Sequence, residues 1–493
     1  MIEAVNGHQV DQFDDLAAAA RKSGKQNMLD VVRFTSAAAE ILGENGVLRS
    51  SDAPEMLRDI IGEGRDCILI ARPSSTEHVA GLLNLCREHG VAVVPQGGNT
   101  NICHMAVPTE DRPSILLSLA RMNRIIEINR SNATVTVEAG CIMQQVQEAV
   151  EAQGLTFGID WGARGSATVG GAVSTNGGGL TVLRYGTTRE QVLGLEVVLP
   201  DGRCWQGLRS LTKDNSGLDL KHIFIGSEGT LGVITRIVFR LHPQQPVRQS
   251  MMASLGNMSR LMDFFAKARS LGGDRLDAFE LMPGIGVEKA LSRYPDLQRP
   301  VETRADWYVL LRFAAREPVA GMMAELFDYG FEEGIISDAA MAQSMSQERN
   351  LWELREQMIP HQYFRGFRML KWDVSVPGDQ IVPFLAAANE AVEHLASNAT
   401  CYAVGHVGDG NLHYCAFLPS DAYTEALAAR IYDRIDNLIW SMDGSVVAEH
   451  GVGSLFRERV RRQKSGIEYE LMQRIKGSID PDGLMNPGKL LFD

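Results

Sequence analysis

Hydrophobic positions recur along this chain on two periods. From about residue 66, short apolar runs alternate with stretches whose apolar residues fall three and four apart. CILIA (67–71) and VAVVP (91–95) predict strands flanking an amphipathic helix over 75–89, where Val79, Leu82, Leu83, Leu85 and Cys86 share a face. ILLSL (115–119), IIEIN (125–129) and the alternating ATVTVEAG (133–140) predict further strands. CIMQQVQEAVEAQG (141–154) predicts a helix closed by Gly154. Strands over 192–200 and 232–243 follow, the first ending in the turn Asp201-Gly202. Residues 1–50 read as a helical, Ala-rich segment closed near Gly43.

Pro243 and Pro246 interrupt this pattern, and the texture beyond them differs. A helix over 261–270 precedes a strand at 307–313 and a helix at 319–330. A strand at 371–377 leads into a helix over 381–396. Strands at 400–407 and 411–419 flank a Gly-Asp-Gly turn, and helices at 421–442 and 455–477 precede the ending LMNPGKLLF. The expected fold is α+β: an N-terminal helical segment (1–50), a first domain (51–245), a second α+β domain (246–453), and a helix and tail (454–493) returning to the first domain.

Composition narrows the function classes. With 493 residues, 45% hydrophobic and 22% charged, the chain suits an ordinary globular protein of two or three domains. A net charge of -13 argues against a large nucleic-acid footprint. The first residues carry Glu3, Asp11, Asp14 and Asp15, unlike a secretory or transit peptide. No apolar run approaches the ~20 residues that span a bilayer. Seven scattered cysteines without a C-x-x-C pair suit reduced thiols, so a cytoplasmic location is expected.

Glycine is unevenly placed. Eighteen of the 48 fall between Gly140 and Gly232, about twice an even spread. Three loops stand out. VVPQGGNTNICHMAVP (93–108) follows a strand with Gly97 and Gly98, where bare backbone and consecutive N–H groups suit an anion. It is neither a P-loop nor a G-x-G-x-x-G turn. GIDWGARGSATVGGAVSTNGGGLTVLRYG (158–186) reads as a long functional loop offering Ser166, Thr168, Ser174, Thr175 and Asn176. FIGSEGTLGVITR (224–236) brackets Glu228 with glycines that would equally mark strand bulges.

In this order and spacing, the three segments resemble the FAD-binding domain of the vanillyl-alcohol-oxidase type. The resemblance implies that Pro95, Gln96, Gly97, Gly98, Asn99, Thr100 and Asn101 hold the pyrophosphate. It carries Ser166, Thr168, Gly170, Gly171, Asn176 and Gly178 along the cofactor toward the flavin ring. Glu228, Gly229 and Ile234 would form the third contact. Many members attach flavin through His or Cys, and Cys103 and His104 lie beside the first loop; the branch resembled most closely binds FAD without a covalent bond, which is the expectation here.

A second constellation lies late in the chain. GHVGDGNLHY (405–414) brings His406 and His413 to one end of a sheet, and VVAEHGVGS (446–454) adds Glu449 and His450. Two imidazoles and a carboxylate, His406, His413 and Glu449, suit Zn²⁺ or a similar divalent ion with an open position. In an extended segment His450 would face away from its neighbour Glu449. A bend at Gly451 would aim it at a substrate as general base.

With LREQMIPHQYFRGFRMLKWDVSVP (354–377), these motifs resemble the FAD-linked D-2-hydroxyacid dehydrogenases, a branch spanning D-2-hydroxyglutarate dehydrogenase, D-lactate dehydrogenase and the glycolate oxidase flavoprotein subunit. The resemblance runs from about residue 40 to the end. It implies Arg355 and Lys371 as partners of a distal carboxylate, but Ile359 stands where those hydroxyglutarate enzymes have a hydroxyl residue. Asn411 would bond the substrate or steady the metal ligands, and Asn486 would close the site near the flavin.

The implied reaction is oxidation of a metal-chelated 2-hydroxy acid, with hydride passing to FAD and electrons leaving to an electron-transfer flavoprotein or quinone-linked carrier. A dicarboxylate related to D-2-hydroxyglutarate is the leading substrate; D-lactate or glycolate stands second. A metal-dependent hydrolase without flavin and a non-catalytic nucleotide-binding subunit are the readings from other classes. The reading also allows a homodimer.

Overall fold

The computed structural model describes residues 30–62, 64–108 and 112–492. The helix expected over 1–50 lies outside the described residues up to position 29; beyond it, Val31–Leu42 is helical, capped by the Asp30 side chain on the N–H of Arg33.

Two sheets build the first half. The smaller runs Val47–Leu48, Ile70–Ala71, Ser114–Ser118, Ala92–Gln96, with the last three parallel. A bend at Ile68 leaves the strand expected at 67–71 only two residues long. Helix Thr76–His89 starts on the Ser75 hydroxyl, which accepts from the N–H of His78, and stops at Gly90, whose φ of +64° suits glycine. Its apolar stripe, Val79, Leu82, Leu83 and Cys86, packs on Val93, Ile115 and Leu117. In the second sheet, the long strand Val233–Pro243 pairs antiparallel with Thr134–Glu138, Val192–Val198 and Leu155–Phe157. The segment read as a loop over 158–186 contains helices Val169–Thr175 and Val182–Tyr185, the first started by the Thr168 hydroxyl. Its glycines conceal a helix because close packing, not turning, requires them: a Cβ on Gly170 would lie 2.6 Å from that of Ala139.

The second half is one antiparallel seven-stranded sheet. Its order is Ile336–Met341, Val247–Leu255, Trp307–Ala315, Leu276–Pro283, Thr400–His406, Asn411–Pro419, Phe367–Ser375. Three of these strands were not expected. All eight residues of Leu276–Pro283 are buried, and burial on both faces removes the period of two. One face packs on helices Leu261–Gly272, Ala320–Glu332, Ile381–Leu395 and Glu425–Ser441. The other is only partly covered, by Gly284–Arg293 and Met345–Glu356. The helix expected over 455–477 is two, Arg457–Gln463 and Gly466–Ile479, because Ser465 and Glu468 form a capping box that begins a new helix.

The tail returns to the first sheet. Met485 forms a parallel bridge with Val93, and the N–H of Asn486 donates to the Val93 carbonyl at 2.8 Å. Among the described residues, no helix is long and apolar enough to cross a membrane.

Candidate active site

The first glycine loop and the segment after Trp161 cross at close quarters. A Cβ on Gly97 would stand 2.3 Å from Thr168 Oγ1, and one on Gly98 would stand 1.9 Å from the Ser166 carbonyl. The glycines therefore let two loops touch, and their free edges line a cleft of about 360 Å³. Gly97, Gly98, Asn99, Thr100 and Asn101 form one wall; Thr168, Gly171 and Gly178 lie on the other. The Asn101 side chain accepts from the N–H groups of Cys103 and Met105, so the loop holds its own shape and turns backbone to the cleft.

A smaller adjoining cavity of about 70 Å³ meets Pro95, Gln96, Gly170, Gly229 and Ile234. Glu228 reaches its edge, but its carboxylate accepts from the N–H groups of Val452 and Gly453 at 2.7 and 2.8 Å. Ser166, Asn176 and Asn486 lie outside both cavities. Asn176 caps helix Val169–Thr175 in the left-handed region and accepts from the N–H of Arg189. Asn486 Nδ2 donates to the carbonyls of Met105 and Glu228. Cys103 and His104 also face elsewhere: Cys103 is fully buried with its thiol toward the His450 carbonyl, and His104 sits against Asp59.

At its far end the cleft is lined by Glu449 and His450. Here the expectation that these neighbours face apart is overturned. Residues 448–450 bend, and the N–H groups of Ala448, Glu449 and His450 converge on one oxygen of Asp373 at 3.1, 2.8 and 2.8 Å. Both side chains then meet His413: its Nε2 is 3.4 Å from Glu449 Oε1, while His450 Nε2 is 3.6 Å from the same oxygen. The His413 and His450 rings stack at 5.1 Å, and His406 stands edge-on to His413 at 5.6 Å.

The donor atoms within 4.8 Å of one another come from Asp373, His413, Glu449 and His450. His406, expected among the ligands, stands just outside that set, its Nδ1 2.7 Å from Glu280. Glu280 also takes Arg355 Nε at 2.8 Å and Nη2 at 2.7 Å, leaving Nη1. Asn411 Nδ2 donates to Asp373 and to the Val374 carbonyl. Lys371 lies two residues before Asp373 on the same strand, and so on the same face, opposite Cys415.

Burial and charge oppose one another at His406 and Glu280 and act together at His413. Burial disfavours a charged His406, but Glu280 prevails and raises it to about 9. Burial would raise Glu280, yet His406 and Arg355 bring it down to about 2. Burial, then the nearby His450, lowers His413 to about 3, a neutral imidazole suited to a metal. Burial raises Glu449 above the usual carboxylate range.

Asp373 and Glu280 were missed from sequence. The available signal was a carboxylate between apolar strand neighbours, Trp372 and Val374 beside Asp373, Phe279 and Leu281 beside Glu280, since buried acids are rare unless paired.

With the site in view, the chain can be placed among known proteins. Residues 68–206 match the FAD binding domain, and residues 244–490 match the C-terminal domain of FAD linked oxidases.

The chain belongs to the FAD-linked oxidases.

A D-2-hydroxyglutarate dehydrogenase of Xanthomonas citri pv. viticola is 36% identical, covering 86% of this chain and 89% of its own length. A probable mitochondrial D-2-hydroxyglutarate dehydrogenase of Oryza sativa subsp. japonica is 33% identical, covering 98% and 86%. Among solved structures, p-cresol methylhydroxylase superposes with a TM-score of 0.72 at 16% identity, covering 93% of this chain and 96% of its own. The fold is thus of the vanillyl-alcohol-oxidase type, and a hydrolase without flavin is set aside. This FAD-linked oxidase presents bare backbone along one cleft, as an extended, phosphate-bearing cofactor requires. Its imidazole and carboxylate donors suit a divalent ion.

Proposed function

We propose that this FAD-linked oxidase converts a D-2-hydroxy acid to the 2-oxo acid and passes the electrons to an electron-transfer flavoprotein or a quinone-linked carrier. One observation carries the reading: Glu449 and His450 line the same cleft as Gly97 to Asn101, so substrate chemistry and flavin share one space. FAD, when bound, supplies the hydride acceptor. A divalent ion, Zn²⁺ by its donor set, would supply Lewis acidity toward the substrate hydroxyl. His406, His413 and Glu449 would hold that ion, and His450 Nε2 would take the hydroxyl proton, help typically worth about 10²–10⁴-fold. Asn411 steadies the arrangement through Asp373. Arg355 Nη1 and Lys371 would orient a remote carboxylate. FAD is held without a covalent bond, in keeping with Cys103 and His104 facing away from the cleft.

A dicarboxylate related to D-2-hydroxyglutarate is the first substrate. Ile359, which offers no hydroxyl, favours D-lactate or glycolate as the second. The test is a panel of D-2-hydroxyglutarate, D-malate, D-lactate and glycolate with a dye acceptor, following bleaching of the flavin band. Bleaching by a D-2-hydroxy acid is expected, and Glu449→Ala should lose metal and turnover while keeping the flavin spectrum. Full turnover in that variant would remove the metal from the scheme.

A further inference from the structure

Three histidines meet at the end of the cleft, and each turns the same ring nitrogen away from it. His406 Nδ1 is 2.7 Å from Glu280 Oε1. His413 Nδ1 is 3.6 Å from Asp373 Oδ1, and His450 Nδ1 is 3.4 Å from Asp373 Oδ2. The Nε2 atoms of His413 and His450 both face Glu449 Oε1. The nitrogen that carries the proton is set by the partner of the other one, so two carboxylates can dictate what three imidazoles offer to the centre.

Asp373 is built for this task. Its side chain is 4% exposed. Oδ2 accepts from three successive backbone N–H groups, and Oδ1 accepts from Asn411 Nδ2 at 2.9 Å. Both oxygens are thereby fixed in place and already occupied by donors, which suits an orienting group better than a metal ligand. His413 Nδ1 is buried and makes no hydrogen bond. The 3.4 and 3.6 Å contacts are longer than closed hydrogen bonds, of the kind that tighten when a site fills.

We propose that Asp373 is a positioning residue shared by two functions: it keeps the proton of His413 and His450 on Nδ1, so that one Nε2 lone pair is presented to a metal and the other to the substrate proton, while Glu280 orients His406 in the same sense. The inference rests on the metal-and-base reading above and goes beyond it, naming the residue that couples ligand to base. Removal of Asp373 would therefore weaken both at once.

Two-bond ¹H–¹⁵N correlation of the full-length, histidine-labelled flavoprotein tests this after chelator treatment, at roughly pH 8, above the ordinary histidine value. His413→Gln and His450→Gln supply the assignments. Wild type is expected to carry the proton on Nδ1 at both residues, and Asp373→Asn to shift it toward Nε2. A proton on Nε2 at either residue in wild type overturns the inference, and that spectrum decides the matter even if Asp373→Asn does not fold. Chelator competition gives a second readout. Asp373→Asn and Glu280→Gln should each weaken Zn²⁺ binding about 10–100-fold with the flavin band retained. For Asp373→Asn, kcat should fall more than KM rises; unchanged affinity and kcat also overturn the inference. Wild type that takes up no Zn²⁺ would instead remove the metal from the parent reading, while the proton positions on His413 and His450 would still report on Asp373.

Discussion

The glycine cleft and the histidine cluster adjoin, yet they are built by opposite means. Along the cleft, recognition groups belong to the backbone; the Asn101 side chain shapes its own loop, and Asn99 Nδ2 ties that loop to the Arg58 carbonyl. Precision there comes from exclusion of atoms, since Gly97 and Gly98 leave no room for a Cβ. At the cluster, the groups offered are side chains, and precision comes from two buried acids and their partners, Glu280 with Arg355 and His406, Asp373 with His413, His450 and the backbone N–H groups of 448–450. A backbone cradle tolerates changes in charge but not in volume. A buried polar network fails when a partner is lost or its ionisation changes.

That contrast can be broken by experiment. The largest effect is expected at His450. His450→Ala should slow flavin reduction by substrate about 10²–10⁴-fold in stopped flow, with FAD content and spectrum unchanged. Loss of FAD in this variant would show that the two regions are not separable. Next is Gly98→Ala, whose added methyl meets the Ser166 carbonyl. It should lower stability by about 1–3 kcal/mol and reduce FAD retention, read from the thermal midpoint and the flavin-to-protein ratio. Metal loading by chelator competition should survive.

A smaller effect concerns pH in the metal-free protein. His406 is raised from 6.5 to about 9, so its contribution is fully present below 6.5 and is lost as pH rises through 9. Glu280 is lowered from 4.5 to about 2, so its contribution is present above 4.5 and is lost as pH falls toward 2. The pair should give a stability plateau between 4.5 and 6.5 and a decline on the alkaline side. In Glu280→Gln that alkaline decline should flatten in calorimetry, and an identical pH profile would contradict the pairing. Smallest of all, Ile359→Thr should raise kcat/KM for D-2-hydroxyglutarate relative to D-lactate by a few-fold, on the order of one neutral hydrogen bond.

The same contrast governs what could be read from the sequence. Crowded glycines announce a cradle because the constraint is local: Gly97, Gly98, Gly171 and Gly178 each line the cleft. His413, Glu449 and His450 were legible as a motif of residue types. Their organisers were not. Glu280 lies 126 residues from His406, and Asp373 lies 77 residues from His450. Locally each shows only a carboxylate between apolar neighbours, which hints at burial but names no partner. The bend at 448–450 was equally hidden, because its cause is Asp373, on another strand. Glu228 and Asn486 were expected as cofactor contacts; in the fold the Glu228 carboxylate and Asn486 Nδ2 bond protein groups, while Asn486 Oδ1 is buried without a hydrogen bond.

Those two residues have a consequence for synthesis. The Glu228 carboxylate grips the backbone just beyond His450, and Asn486 in turn ties the Glu228 and Met105 carbonyls together. On the ribosome, the Glu228 anchor is made hundreds of residues before the strand of chain that completes it. A nascent polypeptide that has not yet released residue 486 therefore lacks the last fastening beneath the segment that carries His450.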